Sequence, residues 1–76
     1  MQLLTDQGWT MYYSCMCGGS QRLHWSNVRY PGYEIRTRPR RNTFSIHSRN
    51  IRVAGPDFAY RLEGALKQFG IYEEKL

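Results

Sequence analysis

Two histidines, two cysteines and a large supply of arginine are the side chains of this chain with chemistry to offer. His24 and His47 are the only imidazoles. An imidazole titrates near neutrality, so the two could serve as general acid and base in the cleavage of a phosphodiester. Arg36 and Arg38 would then meet the negative charge that develops on the phosphorus-bound oxygens. Cys15 and Cys17 could supply half of a zinc site, with the two histidines as the remaining soft ligands. Their Cys-x-Cys spacing matches none of the usual Cys-x2-Cys patterns, and on a strand both thiols would point away from the histidines. A disulfide between them would be strained. The cysteines are therefore read as small buried hydrophobes, and no metal or other cofactor is expected.

The arginines carry the stronger signal. The chain has 76 residues and a formal charge of +5, spread unevenly. Residues 22–52 hold eight arginines (Arg22, Arg29, Arg36, Arg38, Arg40, Arg41, Arg49 and Arg52) against the single acid Glu34, a local charge of +7. Guanidinium forks match phosphate oxygens two at a time and stack on flat rings, which ammonium groups do not. Such a density of like charge costs stability unless a partner neutralises it. A polyanion is the implied partner, first of all the phosphate backbone of RNA or DNA, with binding that weakens steeply as salt rises. Arg22, Arg36, Arg38, Arg40, Arg41, Arg49 and Arg52 are the candidate contacts. Tyr30, in a turn beside Pro31, is the ring most expected to face solvent and stack on a base.

These side chains need elements to position them. A composition of 41% hydrophobic and 14% aromatic residues excludes a disordered tail and gives a short chain large apolar payloads. The length allows one domain, residues 1–76. No apolar run approaches the ~20 residues of a membrane-spanning helix, and the start lacks the pattern of a signal peptide. A cytoplasmic protein with no membrane partner is expected.

Residues 2–8 predict a short helix ended by Gly8. From Trp9 the apolar period becomes two, with Trp9, Met11, Tyr13, Cys15 and Cys17 on one face. Gly18-Gly19-Ser20 is a turn signal, and a second strand over about 22–28 places Leu23 and Trp25 inward and Arg22 and His24 outward. Tyr30-Pro31-Gly32 turns the chain again. The third strand, Tyr33 to Arg38, and the fourth, Thr43 to Ser48, put Tyr33, Ile35, Thr37, Phe44 and Ile46 inward. Glu34, Arg36, Arg38, Thr43, Ser45 and His47 then face outward, and Pro39-Arg40-Arg41-Asn42 forms a projecting cationic tip. Residues 49–55 read as an irregular connector, with a short extended piece at Ile51 to Val53. Gly55-Pro56-Asp57 reads as the start of a closing helix. Its stripe is Phe58, Leu62, Ala65, Leu66 and Phe69, and its cap is Gly70 with Ile71 folding back. The expected fold class is α+β, a short N-terminal helix, a three- to four-stranded antiparallel meander, and a C-terminal helix packed on one sheet face.

Three segments resemble parts of the HicA (YcfA-like) toxins, small RNA-cleaving proteins with a double-stranded-RNA-binding-like α-β-β-β-α fold. Residues 3–9, LLTDQGW, resemble that family's first helix. Gly19-Ser20 resembles the Gly-Ser-His segment that bears its active histidine. Residues 62–71, LEGALKQFGI, resemble its last helix. Gln21 stands where the histidine would follow, and His24 is three residues further on. The resemblance implies the layout of the fold and puts RNA ahead of DNA as partner. Three functions stay open at this level. One is a nucleic-acid-binding module using the arginine-rich hairpin. The second is a ribonuclease of the toxin kind using His24 or His47. The third is a non-catalytic protein–protein module, of the kind a phage or mobile element carries, whose arginine hairpin docks on an acidic protein surface.

Overall fold

The computed structural model describes residues 2–74, apart from the side chain of Cys17. The fold is α+β. Helix α1 (Gln2–Asp6) is followed by strands β1 (Thr10–Cys17), β2 (Ser20–Ser26), β3 (Tyr33–Arg38), β4 (Thr43–Ser48) and β5 (Ile51–Phe58), then by a single 3-10 turn (Ala59–Arg61) and helix α2 (Leu62–Gln68). The strands form one antiparallel sheet in chain order, with β1 and β5 at its edges.

Both helices end by the same device. Gly8 and Gly70 take positive φ, 87° and 70°. The amide of Trp9 then reaches back to the Leu4 carbonyl at 2.8 Å and that of Gly8 to Thr5 at 3.1 Å. At the other end Ile71 bonds to Leu66 at 3.0 Å and Gly70 to Lys67 at 3.1 Å. This double closure satisfies carbonyls that a helix end leaves without partners, and only glycine adopts the required φ without steric cost. It also folds Trp9 and Ile71 back beside Leu4 and Leu66, and all four are buried. Helices of five and seven residues are not stable alone; these are held by that core. The Gln7 side-chain amide joins the two ends of the chain, donating to the Glu73 carbonyl and accepting from the Glu73 N–H.

The core lies between the helices and one face of the sheet. Ile35 and Ile46 face each other across β3 and β4, and both are fully buried with Leu4, Leu62, Leu66 and Ile71 around them. Trp25 lies opposite Ile35 and donates from its indole nitrogen to the Thr37 hydroxyl at 3.0 Å, so two buried polar groups satisfy each other. The inward assignment of Trp9, Trp25, Ile35, Thr37, Phe44 and Ile46 agrees with these positions, and Leu23 and Tyr33 pack at the core margin.

Three expectations need correction. Met11 keeps the inward face but is 45% exposed there, and Tyr13, 54% exposed, is not inward. Met11 lies opposite Trp25 but Tyr13 lies opposite His24, so a bulge at Tyr12 shifts the register of β1. One extra residue reverses the parity beyond it, which moves Tyr13 and Cys15 to the opposite face. The side chain of Cys17 lies outside the described residues. The segment read as connector and helix start is instead the eight-residue β5. Arg49 and Asn50, at φ 52° and 68°, make a two-residue turn of the kind that joins hairpin strands, and Pro56 is tolerated because β5 is an edge strand. Phe58 is consequently a strand residue at 56% exposure, while Leu62, Ala65, Leu66 and Phe69 do form the helical stripe. The sheet thus has five strands, where three or four were expected.

Gly55 is the tightest backbone approach in β5. It has φ 89°, and a Cβ there would meet the Phe44 carbonyl oxygen at 2.6 Å and Ser45 Cα at 2.9 Å. Gly64, in α2, has open space around it. Gly55→Ala is therefore expected to lower stability by roughly 2–4 kcal/mol through strain and backbone collision. Gly64→Ala should raise it by roughly 0.5–1 kcal/mol through helix propensity. Denaturant midpoints of the two variants against wild type check both signs.

Candidate functional site

The helices cover one face of the sheet, and strand parity sends the polar set to the other. Register places His24 opposite Arg36, Arg36 opposite Ser45, Arg38 opposite Thr43, and His47 between Glu34 and Arg52 on the neighbouring strands. A cleft of about 290 Å³ opens on this face. Arg22, Arg36, Arg38 and Arg52 surround it, with Thr43, Phe44, Ser45, His47 and Pro56 completing the lining. These guanidinium groups come from four residues on three strands, so the folded sheet gathers charge that is dispersed over 31 positions of sequence, from Arg22 to Arg52. Ser20 accepts a hydrogen bond from Arg38 at 2.8 Å.

Glu34 organises the region beside the cleft. Its carboxylate accepts hydrogen bonds from the Tyr12 hydroxyl and the Arg36 Nε, and lies 3.2 Å from His24 Nδ1. Burial alone would raise the carboxyl's pKa, but these hydrogen bonds together with the Arg36 charge outweigh it and hold the group below its ordinary value. The hydrogen bond to Glu34, and after it burial and the carboxylate's charge, push the Tyr12 phenol up to about 12. Glu34 is therefore an anion at neutral pH, and it fixes Arg36 in place while cancelling part of its charge.

The two histidines have different surroundings, and neither is open to solvent as expected, at 9% and 8% exposure for His24 and His47. His24 lies under the edges of Tyr12 and Tyr13, with ring centroids 6.2 and 5.1 Å away. Its Nδ1 faces Glu34, and its Nε2 lies 3.9 Å from Cys15 Sγ. It does not line the cleft. His47 does, with Nε2 3.0 Å from Ser45 Oγ. Burial, and after it the charge of Arg36, hold the His47 imidazole below its ordinary value of 6.5, so it is neutral at pH 7.

Of the arginines singled out in the sequence, Arg22, Arg36, Arg38 and Arg52 converge on the cleft. Arg40 and Arg41 do not; they stand exposed at the tip of the β3–β4 hairpin. Arg49 is exposed in the β4–β5 turn, near Pro31, Gly32 and Tyr33. Tyr30 is half-buried and stacked on Trp9, with centroids 6.0 Å apart, so the expectation of a solvent-facing ring is overturned. Its turn folds back on the core because Tyr33 N–H bonds to the Tyr30 carbonyl and Asn27 anchors the start of the loop to Gln7. The bulge brings Cys15 to the face of His24, contrary to the parity expected for the cysteines. Among the described residues no three His, Cys, Asp or Glu side chains converge as a metal site. The role of Glu34 and the position of Tyr13 were not anticipated; the former follows from outward parity beside Arg36, whereas no residue type announces the bulge behind the latter.

No protein-family model, curated protein or solved structure matches this chain. No helix of the described residues is long and apolar enough to cross a membrane.

The geometry yields two predictions. The folded pKa of His47 lies below its unfolded value, so its contribution to stability is complete above about 6.5 and is lost as pH falls through that value, where the unfolded chain takes up the proton first. Thermal unfolding followed from pH 7.5 down to about 5.5, above the range in which carboxylates titrate, should show a decline in Tm that is shallower in His47→Gln. Replacing Glu34 by Gln should cost about 1 kcal/mol of stability by weakening its charged hydrogen bonds. It should also tighten binding of any polyanion several-fold, because the carboxylate that offsets the Arg36 charge is lost; titration calorimetry with a heparin fragment reads that change.

Proposed function

We propose that this protein is a small nucleic-acid-binding module whose open sheet face takes backbone phosphates. The observation that carries the reading is the convergence of Arg22, Arg36, Arg38 and Arg52 on one cleft, with Ser45, Thr43 and His47 as further polar groups. Arg36 and Arg38 are held by Glu34 and Ser20, so less side-chain freedom is lost on binding than a mobile lysine would lose. Contacts to phosphate position a strand without reading its sequence. RNA stands ahead of DNA on the resemblance of the chain's two ends to small RNA-cleaving toxins. The exposed tip arginines Arg40 and Arg41 would add long-range attraction, whereas the cleft would hold the strand.

A second reading has one observation in its favour. His47 is a neutral imidazole inside the arginine cleft and beside a hydroxyl, which is the arrangement a general base needs to act on a phosphodiester. On this reading the protein is a ribonuclease, and His47, not the enclosed His24, accepts the proton.

Binding of a labelled oligoribonucleotide at two or more salt concentrations tests the proposal. Arg22→Ala/Arg52→Ala is expected to weaken binding at least tenfold and to lower the salt slope by roughly one to two, since each phosphate contact contributes about 0.7–0.9. Arg40→Ala/Arg41→Ala should weaken binding less. Electrophoresis of the same samples decides between binder and nuclease, because cleavage that disappears in His47→Ala would establish the second reading. Failure of the wild type to bind any nucleic acid at low salt would remove both and point to an acidic protein surface as the partner.

A further inference from the structure

The end of β5 carries two aromatic rings that folding does not use. Phe58 and Tyr60 are 56% and 75% exposed, and neither belongs to the core nor packs against it. Their rings are nearly parallel, 8° apart in plane with centroids at 6.1 Å. The Arg61 guanidinium lies over Tyr60, 5.6 Å from its centroid, and is drawn there also by Asp57 at 3.8 Å. Arg61, Tyr60 and Phe58 thus form a short stacked column. The rings contribute only these mutual contacts to the fold and present their remaining apolar surface to solvent, as ligand-binding surfaces do.

The column adjoins the arginine cleft. Phe58 lies opposite Thr43 in the sheet, and Thr43 lines the cleft. Residues directly opposite in an antiparallel pair share a face, so Phe58 projects from the same face as the guanidinium groups. Pro56, two residues before Phe58, is part of the cleft wall. The Ala59 N–H bonds to the Asn42 carbonyl at 2.8 Å, which ties the column's base to the hairpin tip that carries Arg40 and Arg41. A strand whose phosphates enter the cleft therefore has a ring platform on one side of it and exposed positive charge beyond.

From this placement we infer that Phe58 and Tyr60 are a stacking platform for an unpaired base, so that the protein binds single-stranded nucleic acid at this site. The inference rests on the phosphate-binding reading above and narrows it. A base in a duplex has both faces occupied by its neighbours and cannot lie on a protein ring, whereas an unpaired base can extend the column by one layer on Phe58. Stacking of this kind is tolerant of sequence because every base offers a flat π face. Phosphate contacts then supply the salt-dependent part of the affinity, and the rings supply a part that salt does not screen.

Anisotropy titrations with a short single-stranded oligoribonucleotide and an abasic strand of equal length and charge test the inference. The wild type should prefer the base-bearing strand roughly tenfold or more. Phe58→Ala/Tyr60→Ala should lose that preference and bind both strands as the wild type binds the abasic one, with the salt slope unchanged. Phe58→Leu should lose nearly as much, because it keeps apolar bulk but not a ring. Emission from the buried Trp9 and Trp25 verifies that each variant is folded. Equal wild-type affinity for the two strands, or full activity of the leucine variant, would overturn the platform while leaving the phosphate cleft intact. Absence of binding to either strand would overturn the cleft reading and the platform together.

Discussion

Ile35 and Ile46 meet across β3 and β4, and both helices close over that pair. Because side chains alternate along a strand, burying these two sends Glu34, Arg36, Ser45 and His47 to the other face. The same alternation puts Trp25 inward and His24 outward on β2. No residue of the basic face therefore had to be placed individually; each is where it is because an apolar neighbour was needed in the core. A slip of one residue in β3 would carry Arg36 and Arg38 into the core, at a cost that a domain of this size could not absorb. The basic face and the core are two consequences of one register.

That register crowds cations, and the sheet tolerates it through a single acid. Glu34 bonds to Tyr12 and Arg36 and faces His24, so one carboxylate serves three strands. The Tyr12 hydroxyl that donates to it is held protonated by the same contact. The remaining positive charge is left around the cleft and not over the whole face. His47 sits within it as an uncharged group, since burial and the neighbouring guanidinium both oppose its protonation. An anion placed in the cleft would offset that second effect and favour a proton on the imidazole.

Much of this was legible from residue types. Gly8 and Gly70 announce helix ends because no other residue takes positive φ without strain, and the closures found there are the ones such glycines permit. The alternation of Leu23 with His24 and of Ile35 with Arg36 gave the two faces of the central strands. Three local choices were not legible. The turn at Arg49 and Asn50 uses an arginine at positive φ, which residue preference alone argues against, and the pairing of β5 with β4 overrides it. Gly55-Pro56-Asp57 has the composition of a helix start, yet in an edge strand proline has no ladder bond to lose and glycine fits against the Phe44 carbonyl. The bulge at Tyr12 has no signature of its own, because any residue can occupy it.

The places where local rules failed are the places that make the face into a site. β5 adds Arg52 and Pro56 as a wall and carries Phe58 and the stacked rings beyond it. The irregular pairing between Phe44 and His47 bends β4 and β5 beside that wall, as bulges do where a strand must re-aim its side chains. On the far side the bulge in β1 turns Tyr13 and Cys15 toward His24, closing that histidine off and leaving His47 as the imidazole in contact with the cleft. Two edge strands, each departing from regular pairing, thus decide which of two equivalent-looking histidines and which of seven candidate arginines can meet a ligand. Regular register made the basic face, and its interruptions gave that face a shape.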